Sequence, residues 1–152
     1  PPTPPPSSNR RQRQMCIRDR AKRLPYRTVT SADGHRILAG KGGRDNDETT
    51  LKVAGPHDLF LHVRGVPGSH VIVPLRRGEE VPEQTLLDAA TLALHYSKSR
   101  SASSAEITYT PRKYVSKPKG AKPGLVSVQR ERVLRLRREP ERLARLLMTA
   151  GE

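Results

Sequence analysis

The sequence predicts an α+β domain in which a mostly antiparallel sheet is covered by one main helix. Apolar runs rich in β-branched residues flank an Asp-Gly bend at 33–34 and a Pro-Gly bend at 67–68, and both patterns are typical of β-hairpins. After the second bend, Leu86, Ala89 and Ala93 recur at the spacing of an amphipathic helix. The length of 152 residues accommodates one such domain.

The N-terminal half reads as a hairpin followed by a short helix. Residues 26–30 and 36–40 form the two strands of the hairpin. Residues 45–54 are predicted as a helix that is capped by an Asp or Asn side chain and carries acidic residues in its first turn. The Gly-Pro pair at 55–56 ends this helix, so the next strand begins after it.

The C-terminal half begins with the main helix, which Pro82 opens because proline suits the first helical turn. Residues 106–110 alternate as a strand, and we expect residues 113–115 to continue it past Pro111 at a bulge or sheet edge. The remaining predicted elements are a last strand pair at 125–128 and 133–136 and a terminal helix at 141–148.

Composition divides the chain into a basic arm at 1–24, a domain at 25–138 and a C-terminal helix or tail at 139–152. The arm is rich in Pro, Ser, Arg and Gln, so it buries too little apolar surface to offset its ordering entropy and is predicted to be disordered. Residues 14–20 resemble a translated sequencing adapter. We therefore assign the arm no function.

The central hairpin at residues 58–73 carries the most informative polar residues. If its bend is centred near residue 66, positions summing to 132 face each other, so His62 lies opposite His70 and Phe60 lies opposite Ile72 on one face. A register slip of one residue would reverse the faces. The other face then carries Leu61, Val63 and Val71.

The chain has 29 Lys and Arg residues against 15 Asp and Glu, a formal charge of +14, which indicates a polyanionic partner. Nucleic acid and an acidic membrane surface both fit. An amphipathic basic helix would be needed for the membrane, and residues 137–148 are a short candidate, so no membrane partner is expected. No apolar run approaches the roughly 18 residues of a membrane span, and no secretory signal is present. These features favour a cytoplasmic protein.

A basic loop follows the predicted strand at 106–110. Residues 112–122 hold five positive charges and no acid, with Tyr114 as a stacking face and Gly and Pro that allow close approach of a phosphate backbone. A solvated cationic loop is the plain alternative. The glycine-rich residues 40–44 lack the spacing of a P-loop, so they form a simple bend or one that carries Arg44 toward a phosphate.

His62 and His70 admit several interpretations. Two imidazoles are too few for a tetrahedral metal site, and Asp58 is one pleat away at best, so no metal is expected. Ser69 lies in no nucleophile motif. Backbone hydrogen bonding at a sheet edge, contact with RNA, and acid/base chemistry remain open for the two rings.

Several motifs in order resemble the NFACT RNA-binding domain, the C-terminal domain of ribosome quality-control proteins once named fibronectin-binding. They are DLFLH at 58–62, PGSHVI at 67–72, Asn46-Asp47, the segment ending in YSK at 96–98, and the segment around KPKG at 117–120. The resemblance covers roughly residues 26–137. This chain has Phe60 where the family usually has Trp, which weakens base stacking if that Trp stacks.

The resemblance implies a non-catalytic domain, without a cofactor, that binds tRNA or large-subunit ribosomal RNA at stalled ribosomes and has no DNA specificity. Full-length relatives also carry an N-terminal domain, a helix-hairpin-helix segment and a coiled coil that have no counterpart here, so this chain is expected to be a fragment or a stand-alone version that does not perform tailing alone. The alternative is a tRNA-modification enzyme or accessory with a His62, Ser69 and His70 centre. The predicted RNA-binding residues are Arg44, Asn46, His62, Arg64, Ser69, His70, Lys113, Tyr114, Lys117, Lys119 and Lys122.

Overall fold

A computed structural model describes residues 23–151, so the predicted disordered arm lies outside the described residues except for its last two positions. Within that range the chain forms a six-stranded antiparallel sheet in the order β1-β2-β4-β3-β5-β8, a separate two-stranded ribbon β6-β7, and three α-helices. The predicted α+β class is confirmed. None of the described helices is long and apolar enough to span a bilayer.

The strands are β1 (Tyr26–Thr30), β2 (Arg36–Gly40), β3 (Leu59–Val63), β4 (Val71–Val73), β5 (Ser104–Pro111), β6 (Val115–Ser116), β7 (Ser127–Val128) and β8 (Arg132–Arg137). The helices are α1 (Gly43–Glu48), α2 (Glu83–His95) and α3 (Pro140–Leu147). A π-helical turn at Thr49–Val53 continues α1, and a 3₁₀ turn at Arg112–Tyr114 follows β5.

The register of the central hairpin, β3 with β4, is the predicted one. Phe60 pairs with Ile72 and Leu61 with Val71, so side chains alternate between the two faces as expected. Leu61 and Val71 are buried in the main core. Phe60 and Ile72 lie on the opposite face in a smaller apolar cluster. The two faces of the sheet are therefore different surfaces, and only one is covered by α2.

The main core lies between the sheet and α2. Ala89, Ala90 and Ala93 are completely buried on this helix, and their small side chains let its backbone approach the sheet closely. Leu92 fills the space beside them. The apolar spacing seen in the sequence is thus a packing face rather than a ligand groove.

Helix α1 begins differently from the prediction. Its N-cap is Gly42, which adopts a φ of 99° and supplies no side-chain cap, so the expected Asp or Asn cap is wrong. Asn46 instead lies inside the helix and is buried. The reason is that its amide has partners on the neighbouring strand and loop, which outweigh a local capping bond.

The pairing after Pro111 also differs from the prediction. Residues 113–115 do not extend β5, because the 3₁₀ turn redirects the chain and β6 then pairs with β7. Strand β8 pairs with β5, so the two segments predicted as a last strand pair do not pair with each other. The Arg112 guanidinium, which donates to the Thr50 and Leu51 carbonyls, fixes this change of direction.

Helix α3 is held against α2 by a buried carboxylate. Asp88 is fully buried and accepts hydrogen bonds from Arg142 Nη1 (2.7 Å) and Arg145 Nη2 (2.8 Å), while the Ala32 N–H donates to its other oxygen (2.8 Å). Burial alone would raise the pKa of Asp88, but the hydrogen bonds from Arg145, Ala32 and Arg142 outweigh it and lower the pKa. The carboxylate is therefore charged and fully paired.

Replacing this carboxylate should destabilise the domain. Asp88→Ala removes the buried acceptor that two guanidinium groups and one backbone N–H share, and we expect the free energy of unfolding to fall by roughly 2–4 kcal/mol. Urea denaturation measures it. Glu83→Gln, at an exposed position on the same helix, serves as the control. A loss no larger for Asp88→Ala than for this control would contradict the assignment.

Candidate nucleic-acid interface

A groove of about 1360 Å³ lies over the sheet face that α2 leaves uncovered. Its floor contains Phe60, His62, His70 and Thr108. The strand register places Phe60, His62 and Thr108 on one face, and the His70 ring contacts the rings of Phe60 and His62. One wall combines the β3–β4 loop with the residues that follow α2. The other wall is the segment at 120–126, within the predicted basic loop and just after it. The full lining is thus assembled from parts of the chain that are distant in sequence.

The first wall depends on a close approach between the β3–β4 loop and the end of α2. The Ser69 N–H donates to the Tyr96 carbonyl (3.0 Å), and the Lys98 N–H donates to the Pro67 carbonyl (3.0 Å). A Cβ atom at Gly68 would lie 2.8 Å from the Ser97 Cβ, closer than side chains pack. Glycine is therefore required where the two backbones meet.

Asn46 joins this loop to α1 and β4. Its Oδ1 accepts hydrogen bonds from the His70 N–H (3.1 Å) and the Gly42 N–H (3.3 Å), and its Nδ2 donates to the Gly68 carbonyl (3.1 Å). A Cβ at Gly40 would lie 2.2 Å from that Oδ1, so β2 also has to present a glycine here. The side chain is only 3% exposed, and its role is to fix the wall.

His70 joins the floor to the second wall. Its Nε2 lies 2.9 Å from the Gly124 carbonyl, which can only accept, so Nε2 carries the proton and donates. Nδ1 is then an acceptor for the Thr50 hydroxyl at 2.8 Å. Burial and the neighbouring His62 lower the pKa of His70 to about 4. The ring is therefore a neutral structural connector at physiological pH.

The π-helical turn places Thr50 beneath His70. The Ala54 N–H bonds the Thr49 carbonyl (2.9 Å), five residues back, and both threonines of the turn are buried. Such a turn leaves carbonyls without helical partners. The Arg112 guanidinium donates to two of them, those of Thr50 and Leu51, so the turn is stable where the site needs it.

Lys117 holds the second wall in place. Its ammonium lies 3.0 Å from Asp47 Oδ2 and donates to the carbonyls of Leu125 (2.9 Å) and Lys122. Asp47 also accepts from the Gly124 N–H (3.1 Å). The lysine predicted as a phosphate ligand thus closes its own loop, and the Asn46-Asp47 pair fixes both walls of the groove.

The groove is strongly cationic. Within the described part of the chain its lining contains six Lys or Arg residues and one acid, Glu131. The Tyr96 ring has two close neighbours. The Arg27 guanidinium lies 5.0 Å from the centre of this ring, and the centre of the His95 ring lies 4.6 Å from it. The six cations are Arg27, Lys41, Arg64, Lys98, Arg100 and Lys122.

The structure brings six of the eleven predicted RNA-binding residues to this groove. Asn46, Ser69 and His70 are buried and shape it, whereas His62, Arg64 and Lys122 are at least partly accessible. The other predicted residues lie outside the groove lining: Arg44, Lys113, Tyr114, Lys117 and Lys119.

Sequence reasoning assigned no RNA-binding role to five lining residues, Arg27, Lys41, Tyr96, Lys98 and Arg100. Tyr96 and Lys98 belong to the YSK motif, which was the available signal for that wall. Arg27 and Lys41 reach the groove only through the pairing of β1 with β2, and the local sequence carries no mark of that.

Two of the three residues of the alternative enzymatic centre, His70 and Ser69, are buried beneath the groove. Both ring nitrogens of His70 are hydrogen-bonded. The preceding residue, Ser69, is only 6% exposed. His62 is partly buried, which lowers its pKa. Residues 23–151 contain no cluster of three or more His, Cys, Asp or Glu side chains suited to a metal ion.

The comparison that decides the family is a match to the model of the NFACT protein RNA binding domain over residues 25–130. The chain belongs to this family. The chain is 44% identical over 100 residues to the Rqc2 homolog RqcH of Bacillus subtilis (strain 168). The aligned part covers 66% of this chain and 17% of that protein. It is 32% identical over 127 residues to the RqcH of Streptococcus suis (strain 05ZYH33), covering 84% and 22%. The chain thus spans less than a quarter of these relatives.

A solved structure supports the NFACT assignment. The C-terminal part of the fibronectin/fibrinogen-binding protein from Streptococcus suis superposes with a TM-score of 0.76 and 31% sequence identity. The match covers 82% of this chain and 50% of that chain. In Drosophila melanogaster, a homolog of ribosome quality control complex subunit NEMF is 30% identical over 67 residues, 44% of this chain and 7% of that protein.

The contact at Gly68 of the NFACT domain can be tested directly. Gly68→Ala places a methyl group against Ser97, and we expect the free energy of unfolding to fall by about 1–3 kcal/mol. Gly55→Ala is the matched control, because a Cβ there meets only ordinary contacts, the nearest at 3.8 Å. Chemical denaturation compares the two variants. Equal losses would show that the loop and α2 are less closely packed than described.

The protonation of His70 can be followed by NMR. Its pKa is lowered from 6.5 to about 4 in the folded NFACT domain, so between these values the unfolded chain binds the additional proton. Stability is fully retained above pH 6.5 and falls as the pH drops through this window, by roughly 3 kcal/mol from this residue. The imidazole resonances should titrate near pH 4. A midpoint at 6.5 or above would contradict the buried, neutral ring.

Proposed function

We propose that this domain is a non-catalytic, cytoplasmic RNA-binding module that contacts tRNA or large-subunit ribosomal RNA in ribosome quality control. The observation that carries the proposal is the groove itself, with six cations against one acid on an NFACT RNA-binding domain. A polyanion is the partner that such a surface attracts. The lining also presents the partly exposed His62 and Tyr96 side chains, so it suits nucleic acid better than a structureless anionic surface.

The relatives narrow the class of RNA. They are named Rqc2 homologs and a homolog of a ribosome quality control complex subunit, and ribosomal RNA and tRNA are the structured RNAs of a translating ribosome. Because the chain covers a small part of these proteins, we attribute binding to it and not the activity of the whole factor. An enzymatic centre at His62, Ser69 and His70 has no support in the geometry, since His70 has no free nitrogen to move a proton.

The cationic groove predicts a strong salt dependence. Each neutralised phosphate adds about −0.7 to −0.9 to the slope of log affinity against log salt concentration. If the six groove cations each contact one phosphate, the slope for the whole chain should be roughly −4 to −5. A hydrogen-bonded complex with few ionic contacts would give a much flatter line.

A matched pair of triple variants tests the location. The first variant replaces three groove cations by Gln, namely Arg27, Lys41 and Lys122. We expect its affinity for tRNA to fall about 10- to 100-fold and its salt slope to become shallower by about 2 to 3.

The control replaces Arg36, Arg76 and Arg77 by Gln. It removes the same charge at the other end of β2 and β4, where Arg36 and Arg76 border a separate hollow. Binding of total tRNA is measured by fluorescence anisotropy at three salt concentrations. Equal losses in both triple variants would show a diffuse attraction, and wild-type protein without affinity for tRNA or ribosomal RNA would contradict the proposed function.

A further inference from the structure

We propose that the groove receives an unpaired stretch of RNA, with bases between the two walls and phosphates along the cationic rim, so that the domain prefers single-stranded RNA to duplex. This inference rests on the proposed function and names the form of RNA that the same surface takes. It follows from the shape of the groove, from the apolar and aromatic groups it exposes, and from the way its floor continues.

The size of the groove favours an extended ligand. Its volume of about 1360 Å³ exceeds the roughly 300–1,000 Å³ of pockets that enclose one small molecule. Two walls made of loop segments, at 64–69 and 120–126, border its floor. A duplex carries its phosphates on the outside and cannot bring stacked, paired bases between such walls, whereas a single strand can insert them.

Apolar and aromatic groups are presented among the cations. Leu125 lines the second wall with 57% of its surface exposed, and Val66 and Tyr96 are partly exposed on the first wall. Phosphates gain nothing from apolar contacts, whereas base faces do. The Arg27 guanidinium against the Tyr96 ring adds a flat surface of the kind on which bases stack.

His62 gives the floor a group suited to base edges. Its ring meets the His70 ring edge to face at 5.5 Å, and Thr108 lies opposite it on β5. Burial lowers the pKa of His62, although a hydrogen bond to the Gly68 backbone opposes the shift. The ring therefore presents a neutral, polar imidazole to the groove instead of a further charge. A neutral imidazole suits the hydrogen-bonding groups of base edges and 2′-hydroxyls, whereas the cations of the rim suit the phosphates.

The floor continues beyond the groove toward the sheet edge. Val133 pairs with Thr108 and Arg135 with Glu106, so Val133 and Arg135 lie on the same face as His62. Val133 is 42% exposed, and Arg135 is exposed as well. Glu106 also lies on this face, where its carboxylate is 3.8 Å from the Arg64 guanidinium. An apolar residue and a cation beyond the groove would extend the proposed track for a single strand.

The experiment compares two RNA probes with the full chain. One is an oligouridine of about 10 nucleotides, and the other is a blunt RNA duplex of about 10 base pairs, compared at equal phosphate concentration. We expect the single strand to bind at least about 10-fold more tightly, since each stacked base adds about 1–3 kcal/mol. Fluorescence anisotropy at moderate salt measures both affinities.

Two variants locate the preference. Leu125→Asn should weaken binding of the oligouridine about 3- to 10-fold and leave duplex binding unchanged. Met148→Asn is the control, because Met148 is 87% exposed and lies outside the groove. Tyr96→Leu keeps apolar packing but removes the flat ring, and its melting temperature shows whether the fold is intact. A folded Tyr96→Leu variant should show the same selective loss.

The outcomes separate the two proposals. Equal affinity for both probes, with the groove cations still required for binding, would overturn the preference for unpaired RNA and leave the proposed function standing. A preference that survives Leu125→Asn and a folded Tyr96→Leu would overturn the placement of bases in the groove. No binding of either probe, or of tRNA and ribosomal RNA, would remove the proposed function and this inference with it.

Discussion

The rest of the site depends on the hydrogen bonds of one neutral, buried side chain, the imidazole of His70. Through one nitrogen it holds the second wall at Gly124, and through the other it is fixed by Thr50. Its backbone N–H is bound by Asn46, which also holds the first wall at Gly68. One ring and one amide thus position both walls, and the ion pair between Lys117 and Asp47 reinforces the second one. The width of the groove is therefore set mainly by buried hydrogen bonds.

Some Lys and Arg side chains of this protein are bonded within the fold, and others line the groove. Lys117 and Arg112 are used internally, one to close the second wall and the other to satisfy the carbonyls of the π-helical turn. Lys41, Lys98 and Lys122 line the groove. A basic domain thus needs positive charge first to build the surface and then to attract a polyanion. A charge run in the sequence does not separate these roles.

Local patterns predicted the parts of the fold that local physics decides. The bend near residue 66 fixed the pairing of Phe60 with Ile72, and alternation then assigned the two faces. The predictions of a side-chain cap at α1 and of a strand pair after Pro111 were wrong, because distant partners decide both features. Asn46 donates to a loop 22 residues away, and Arg112 donates to a turn about 60 residues away. The motif around KPKG pointed to a loop that forms one wall of the groove. Only the tertiary contacts show that Lys117 is bonded within this wall, whereas Lys122 lines the groove.

The central claim is that RNA contacts the groove positioned by His70 and Asn46. Backbone and side-chain NMR shifts, followed while a short RNA is added to the full chain, test it most directly. We expect the largest changes at Arg27, Lys41, Tyr96 and Lys122, with little change around Arg36 and Arg76. Changes centred on the Arg36 and Arg76 end of the sheet, with the groove resonances unmoved, would contradict the account.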